Sequence, residues 1–215
     1  MTKALSPAEP LAGRRGIPSR GVLAAFVAVV ILAPLVLRPF QVSLLDYIAL
    51  YALVALGLVL LTGIGGLTSF GQAAFVGLGA YATAVVTTSQ NLPAWLAWAQ
   101  GSPWGGLIVG LVLTLVAALV IGSITLRLSG HYLPLGTIAW GISLFFLFGN
   151  LEWLGGHTGM GGLPPISLFG FELIDPAHFY YLAWAVLLAA IWMISNLLDS
   201  REGRAIRALR GGLVM

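Results

Sequence analysis

The most constraining feature of this sequence is a stretch that is rich in glycine and yet apolar throughout. Residues 61–81 read LTGIGGLTSFGQAAFVGLGAY. Glycine costs about 1 kcal/mol relative to alanine inside a helix, so its repeated use there needs a reason. In membrane helices the reasons are close approach of neighbouring backbones and interruption of the helix. The stretch therefore predicts a membrane segment that packs closely on others, is broken, or both.

Composition supports a membrane location for the whole chain. Hydrophobic residues make up 59% of the 215 positions, charged residues make up 8%, and the mean hydropathy is +0.99. Soluble domains carry roughly 25% charged residues, so an integral membrane protein is indicated. The chain has no cysteine, which excludes disulfides and thiolate metal sites within it. We expect the lipid bilayer as its surroundings and no nucleic-acid partner.

Six apolar runs are long enough to cross a bilayer core of about 30 Å, which takes about 20 helical residues. They lie near residues 21–37, 44–62, 66–88, 105–126, 132–150 and 178–198. The predicted fold is therefore an all-α, polytopic membrane protein with about six spans, whose glycine-rich third span is the candidate for a broken helix. Residues 1–20 form an N-terminal tail, 21–198 the transmembrane domain, and 199–215 a further polar segment.

Positive charges predict the orientation of these spans. With the N-terminus in the cytoplasm, six spans leave only Arg38 on the outer side. The cations placed on the cytoplasmic side are Lys3, Arg14, Arg15, Arg20, Arg127, Arg201, Arg204, Arg207 and Arg210. Lysine and arginine on short loops favour the cytoplasm, so this segmentation is self-consistent.

Charged residues are scarce inside the predicted spans, and this limits the possible energy sources. Asp46 is placed in the first turn of the second span, where the helix dipole favours a carboxylate. No carboxylate or cation lies near the middle of a span, which argues against a proton-driven carrier. The sequence contains no nucleotide-binding P-loop, so any ATP must be hydrolysed by another chain.

Enzyme chemistry finds no support in the sequence. The spans contain no catalytic Ser/His/Asp set and no paired carboxylates, and the three histidines have no metal-ligand spacing. We therefore expect no enzyme activity, no metal and no cofactor. The candidates for a solute path are small, hydroxyl and amide residues, although such groups also join helices by hydrogen bonds. They are Ser69, Gly71, Gln72, Gly77, Tyr81 and Thr137.

Four stretches together resemble the permease subunits of branched-chain amino-acid ABC importers, the LivH/LivM family, and are closer to the LivM type. They are residues 61–81, residues 127–132 with 137–141, residues 155–159 with 161–164, and residues 200–210. Within them, Gln72 stands where the family usually has histidine, and Pro134 and Leu154 also depart from its pattern.

The resemblance implies an importer subunit in the bacterial inner membrane that moves branched-chain amino acids or similar small zwitterionic or neutral solutes. It implies three kinds of partner: ATP-binding subunits, a second permease subunit and a periplasmic or extracellular solute-binding protein. The segment from 200 onward is similar to the first half of the family's cytoplasmic coupling loop. Its candidate coupling residues are Arg201, Gly203, Arg204, Arg207 and Arg210.

Two questions stay open at this point. The arginines could dock an ATPase, or they could only hold the helix against anionic headgroups. A passive channel or facilitator for a small neutral solute such as urea or an amide would also suit a broken helix with an uncharged polar lining. In the family, the second half of the coupling loop and further spans would follow residue 215. The chain is therefore expected to be a fragment or a truncated product.

Overall fold

The computed structural model describes residues 20–89, 92–125, 127–128, 132–168 and 171–209, which form a helical membrane protein. The seven α-helices are α1 (Arg20–Val36), α2 (Pro39–Leu58), α3 (Gln72–Thr88), α4 (Pro103–Thr125), α5 (Tyr132–Asn150), α6 (Pro176–Asp199) and α7 (Arg201–Leu209). A π-helix, Val59–Ile64, continues α2, and 3₁₀ turns cover Ala94–Ala99, Glu152–Leu154 and Gly156–Thr158. A small antiparallel hairpin pairs β1 (Ser167–Leu168) with β2 (Phe171–Glu172).

The predicted fold class is confirmed, and each of the six predicted spans overlaps one of the helices α1 to α6. Within the described residues, four helical segments are long and apolar enough to cross a membrane. They are Pro39–Ile64, Pro103–Thr125, Tyr132–Asn150 and Pro176–Asp199. The helices α1 and α3 are shorter, at 17 residues each. About 17 residues is the lower limit for a spanning helix, so both lie at the short end of the range.

The third span is interrupted where its glycines concentrate. The π-helix widens the last turn of α2, and the Gly65 amide donates to the Leu60 carbonyl at 3.0 Å. Gly66 then adopts φ 71°, a left-handed conformation that glycine tolerates best. Residues 66–71 are not helical, and α3 begins only at Gln72. The predicted span over 66–88 is therefore a non-helical strap followed by a helix.

One group of helices packs around the N-terminal half of α6. Tyr180 is 1% exposed and packs with Val30 of α1 and Val42 of α2. Its hydroxyl donates to the Val30 carbonyl at 2.9 Å. Pro34 has no N–H, so that carbonyl lacks its helical donor, and Tyr180 supplies the missing hydrogen bond. This bond allows a proline inside a membrane helix.

A second group is built on close packing between α3 and α4. A Cβ on Gly106 would lie 2.7 Å from the Thr87 methyl group, and one on Gly110 would lie 2.9 Å from the Gly79 carbonyl. The Thr83 hydroxyl also donates to the Gly106 carbonyl at 3.2 Å. Small residues four apart on both helices thus bring the two backbones together, as in other membrane helix pairs.

Neighbouring contacts define the helix directions. Val42 of α2 packs near Tyr180 of α6, and Ala49, later in α2, packs with Leu187, later in α6, so these two helices run parallel. Gly79 and Thr87 of α3 meet Thr114 and Gly106 of α4 in reverse order, so this pair is antiparallel. Both relations agree with a bundle in which α2 to α6 alternate in direction.

Candidate functional site

The strap of residues 66–71 is held against the first turns of α5. The Phe70 amide donates to the Thr137 hydroxyl at 3.0 Å, and that hydroxyl donates to the Pro134 carbonyl at 2.9 Å. A Cβ on Gly71 would lie 3.3 Å from the Thr137 carbonyl oxygen. Glycine at 71 therefore lets the strap contact the backbone of α5, and Thr137 supplies the polar partner that a non-helical backbone needs in a membrane.

Further along, α3 and α5 meet through an aromatic pair. A Cβ on Gly77 would lie 2.8 Å from the ring of Phe148, so glycine leaves room for the ring in its observed position. One turn later, the Tyr81 ring packs on Phe148 with 4.8 Å between centroids. Gly77 and Tyr81 thus position one phenylalanine side chain between the two helices.

Two cavities lie along this pair of helices. The first, about 250 Å³, lies between the strap, the C-terminal half of α4 and the N-terminal half of α5. The second, about 370 Å³, lies beside the C-terminal half of α5 and reaches His157 in the following loop. Ala74 lines both cavities, so they follow one another along α3. Together they form a discontinuous route along the α3–α5 contact.

The structure brings five of the six predicted path residues to these cavities. Ser69, Gly71 and Thr137 line the first cavity, whereas Gly77 and Tyr81 line the second. Gln72 does not line either cavity. Its side chain instead reaches α2, where a Cβ on Gly57 would lie 2.9 Å from the Gln72 Nε2.

Several other residues that line the first cavity carry no recognisable signal in the sequence. Leu133 and Trp140 from α5 and Gly122 from α4 also line the first cavity, with nothing to distinguish them in sequence from ordinary helix residues. The glycines at 106 and 110, in contrast, form a small-xxx-small pattern that predicts a close helix contact.

Asp46 lies deeper in the fold than the sequence suggested. Placing it in the first turn of its helix was wrong, because α2 begins at Pro39, seven residues earlier. Proline is favoured at the first helical position, and the Arg38 amide there donates to the Gln41 side chain at 3.1 Å. The Asp46 side chain is 8% exposed, and among the described residues its Oδ1 has no hydrogen-bond partner.

At the other end of the described chain, α7 folds back tightly on α6. The Ser200 hydroxyl accepts from the Gly203 amide at 3.2 Å and so caps the start of α7. Hydrogen bonds from its own backbone and from Ser200 lower the pKa of Glu202, which lies in that first turn. A Cβ on Gly203 would lie 2.6 Å from the Leu198 Cα. A larger residue at 203 would therefore open the turn.

Two of the predicted coupling arginines bind the end of α6. Arg204 Nη1 donates to the Asp199 carbonyl at 3.2 Å, and the Arg207 guanidinium donates to the Leu198 carbonyl. The last carbonyls of a helix lack helical donors and carry partial negative charge, so both contacts are favourable. The Arg201 side chain is exposed, and Arg210 lies outside the described residues.

A sequence comparison with known families gives a decisive result. Residues 40–212 match the family described as "Branched-chain amino acid transport system / permease component". The chain belongs to this family. The match includes the strap, both cavities and the α6–α7 turn. Together with its helices, it makes the chain a multi-pass membrane protein of a transport family.

Individual relatives agree with this assignment. The high-affinity branched-chain amino acid transport system permease protein LivM of Salmonella typhimurium is 27% identical over 212 residues, covering 87% of this chain and 48% of that protein. The protein of the same name from Escherichia coli K12 is 29% identical over 213 residues, covering 86% and 48%. The chain thus spans about half the length of the curated relatives it matches. No solved structure matches the chain.

Proposed function

We propose that this chain is a permease subunit of a binding-protein-dependent ABC importer in the bacterial inner membrane. Its cargo is a small zwitterionic or neutral solute, with branched-chain amino acids as the class. Family membership carries the proposal, and the relatives named LivM support the cargo. The solute passes between α3 and α5, where the two cavities follow one another.

The lining of the first cavity suits a solute with an aliphatic side chain. Its walls include Leu61, Leu67, Phe75 and Ile121, and none of the described lining residues is charged. The Ser69 hydroxyl supplies a polar contact at one side. An apolar pocket with a few polar groups binds an aliphatic group without holding a zwitterion too tightly to release it.

The non-helical strap gives this path its polar backbone. Residues 66–71 leave amide and carbonyl groups outside a helix, and such groups are tolerated at membrane depth where they face protein or a cavity. Interrupted helices of this kind form the binding sites of many transporters. The strap therefore contributes solute contacts in addition to its packing against α5.

Energy and solute delivery come from other chains. ATP-binding subunits, a second permease subunit and a periplasmic or extracellular solute-binding protein complete the importer. The α7 segment faces the ATP-binding subunit. The Gly203 turn and the arginine contacts with α6 fix the direction of α7, so that movement of α7 is transmitted to α6.

Filling the first cavity tests whether it lies on the solute path. A Cβ on Gly122 meets nothing within 4 Å, so Gly122→Leu adds volume to the cavity without a clash against its neighbours. Uptake by the complete importer should fall to about a tenth or less, because the leucine side chain occupies space that the solute needs, and a barrier raised by about 1.4 kcal/mol slows passage tenfold.

The matched control is Ser123→Leu, which adds similar volume at the next position, where the side chain is exposed. It should transport like the wild type. Both variants are compared at equal membrane abundance and equal melting temperature. Normal uptake by Gly122→Leu would show that the solute takes another route.

A further inference from the structure

Asp46, in the membrane helix α2, has a buried carboxylate oxygen, Oδ1, without a hydrogen-bond partner in the described part of the chain. It lies seven residues after Pro39, about 10 Å along the α2 axis. Its side chain is 8% exposed, and among the described residues Oδ1 accepts no hydrogen bond. A buried charge in lipid is costly unless it is paired, and ionisable residues at such depth commonly mark a functional site.

A cavity of about 320 Å³ adjoins this carboxylate. It lies between the N-terminal parts of α2 and α6, which begin at the same end of the bundle. Leu50, Ile174 and Phe179 supply apolar walls, and Ser43 and Tyr47 lie on the α2 side. It shares no lining residue with the cavities between α3 and α5, so it is a separate site.

The lining favours an organic cation over a metal ion. Calcium takes six to eight oxygen ligands, and magnesium demands an octahedral set. Among the described residues that line this cavity, Asp46, Ser43 and Tyr47 supply the side-chain oxygens. The Ser43 hydroxyl already donates to the Pro39 carbonyl at 3.2 Å. A primary ammonium needs fewer acceptors, since it carries three N–H donors. The aromatic rings of Tyr47 and Phe179 also attract a cation.

We propose that this cavity binds a primary ammonium group carried on an apolar body, with the ammonium paired to the Asp46 carboxylate. The apolar walls contact the hydrocarbon part of the same molecule. A primary ammonium has two sources here. In a soluble alkylamine it is bonded directly to the hydrocarbon, and in phosphatidylethanolamine an ethyl phosphate joins it to the acyl chains. The proposal does not depend on the solute path between α3 and α5.

Thermal melting of the full chain in nanodiscs tests this site. In phosphatidylcholine discs at fixed pH and ionic strength, n-propylamine is compared with n-propanol and with sodium chloride. A second set of discs contains phosphatidylethanolamine. Ligand at about a hundredfold above its Kd should raise the melting temperature by roughly 5–10 °C.

The shift should vanish in Asp46→Asn and persist in Glu152→Gln, which removes an exposed carboxylate elsewhere. Ser43→Leu fills the cavity and keeps the carboxylate, and it should also abolish the shift in melting temperature. This variant replaces Asp46→Asn in the test if Asp46→Asn does not fold. A shift with propylamine alone identifies a soluble ligand, and a shift with phosphatidylethanolamine alone identifies a lipid. No amine-dependent shift, an equal shift with propanol or sodium, or a shift retained in both variants would overturn the proposal.

Discussion

The Phe70 amide donates to the Thr137 hydroxyl across 3.0 Å and joins the strap to α5. These residues are 67 positions apart, and this bond gives the strap a polar partner in an apolar environment. The same hydroxyl donates to the Pro134 carbonyl, so it accepts one hydrogen bond and donates another. Thr137 therefore holds together the strap and α5, two of the elements that enclose the first cavity.

Replacing Thr137 by valine should loosen the strap. The substitution keeps the shape of the side chain and removes the hydroxyl, which leaves the Phe70 amide without its acceptor. A buried donor left unpaired costs about 1–3 kcal/mol. We expect a lower melting temperature of the purified chain and faster hydrogen exchange at the Phe70 amide.

The matched control is Thr88→Val, because that hydroxyl donates only within its own helix, to the Ala84 carbonyl. It should leave both measurements close to wild type. Unchanged exchange at Phe70 in Thr137→Val would mean that the strap is held by packing alone.

Leucine at Gly71 or Gly77 should disturb the α3–α5 contact in different ways. At 71 the new side chain meets the backbone of Thr137, which cannot move without shifting α5. At 77 it meets the Phe148 ring, which can rotate toward the second cavity. We therefore expect Gly71→Leu to lower membrane abundance and Gly77→Leu mainly to reduce uptake.

Abundance and uptake are measured together in the complete importer. Gly161→Leu is the control, since a Cβ there meets nothing within 4 Å and its backbone is not left-handed. If Gly71→Leu and Gly77→Leu both take up solute like the wild type, the α3–α5 contact is not needed for transport.

Charge reversal at Arg204 and Arg207 should uncouple transport from ATP. Glutamate at either position would bring a negative charge to the C-terminal carbonyls of α6, which favour cations by about 0.3–1 kcal/mol. We expect the double variant to lose ATP-dependent uptake and to expose the α6–α7 turn to proteolysis. Arg201→Glu, at an exposed position without such a contact in the described chain, should retain the turn. An intact turn with lost uptake would assign both arginines to docking alone.

Orientation in the membrane is a separate prediction. Six predicted spans and the arginine asymmetry predict that the N-terminus and the segment after α6 lie in the cytoplasm. Reporter fusions at Ser19 and at Gly211 should both give the cytoplasmic signal. Opposite signals from the two fusions would mean that one of the shorter helices, α1 or α3, does not cross the membrane.

Much of this fold could be predicted because apolar length and charge dominate membrane sequences. The predicted span 132–150 coincides with α5, and glycine content located the break. The predicted span begins at residue 44, five residues after α2 begins at Pro39. Proline is favoured at the first position of a helix, and apolar length alone does not include that signal. That single error moved Asp46 from a buried position within α2 to the first turn of the helix.

The residues that depend on side-chain direction could not be predicted. Ser69 and Gln72 are three apart in sequence, yet Ser69 lines the first cavity and Gln72 reaches α2, because the strap is not helical between them. Likewise, the arginines of α7 look like a docking surface by their spacing alone. Their bonds to α6 depend on the turn at Gly203, which periodicity does not describe.

Uptake in sealed vesicles tests the central claim most directly. Radiolabelled leucine is offered to vesicles that contain this chain alone, and to vesicles that also contain the ATP-binding subunits, the second permease subunit and the solute-binding protein. The account predicts no uptake by the chain alone and ATP-dependent uptake by the complete assembly. Uptake by the 215-residue chain without ATP or partners would contradict it and would identify a passive facilitator.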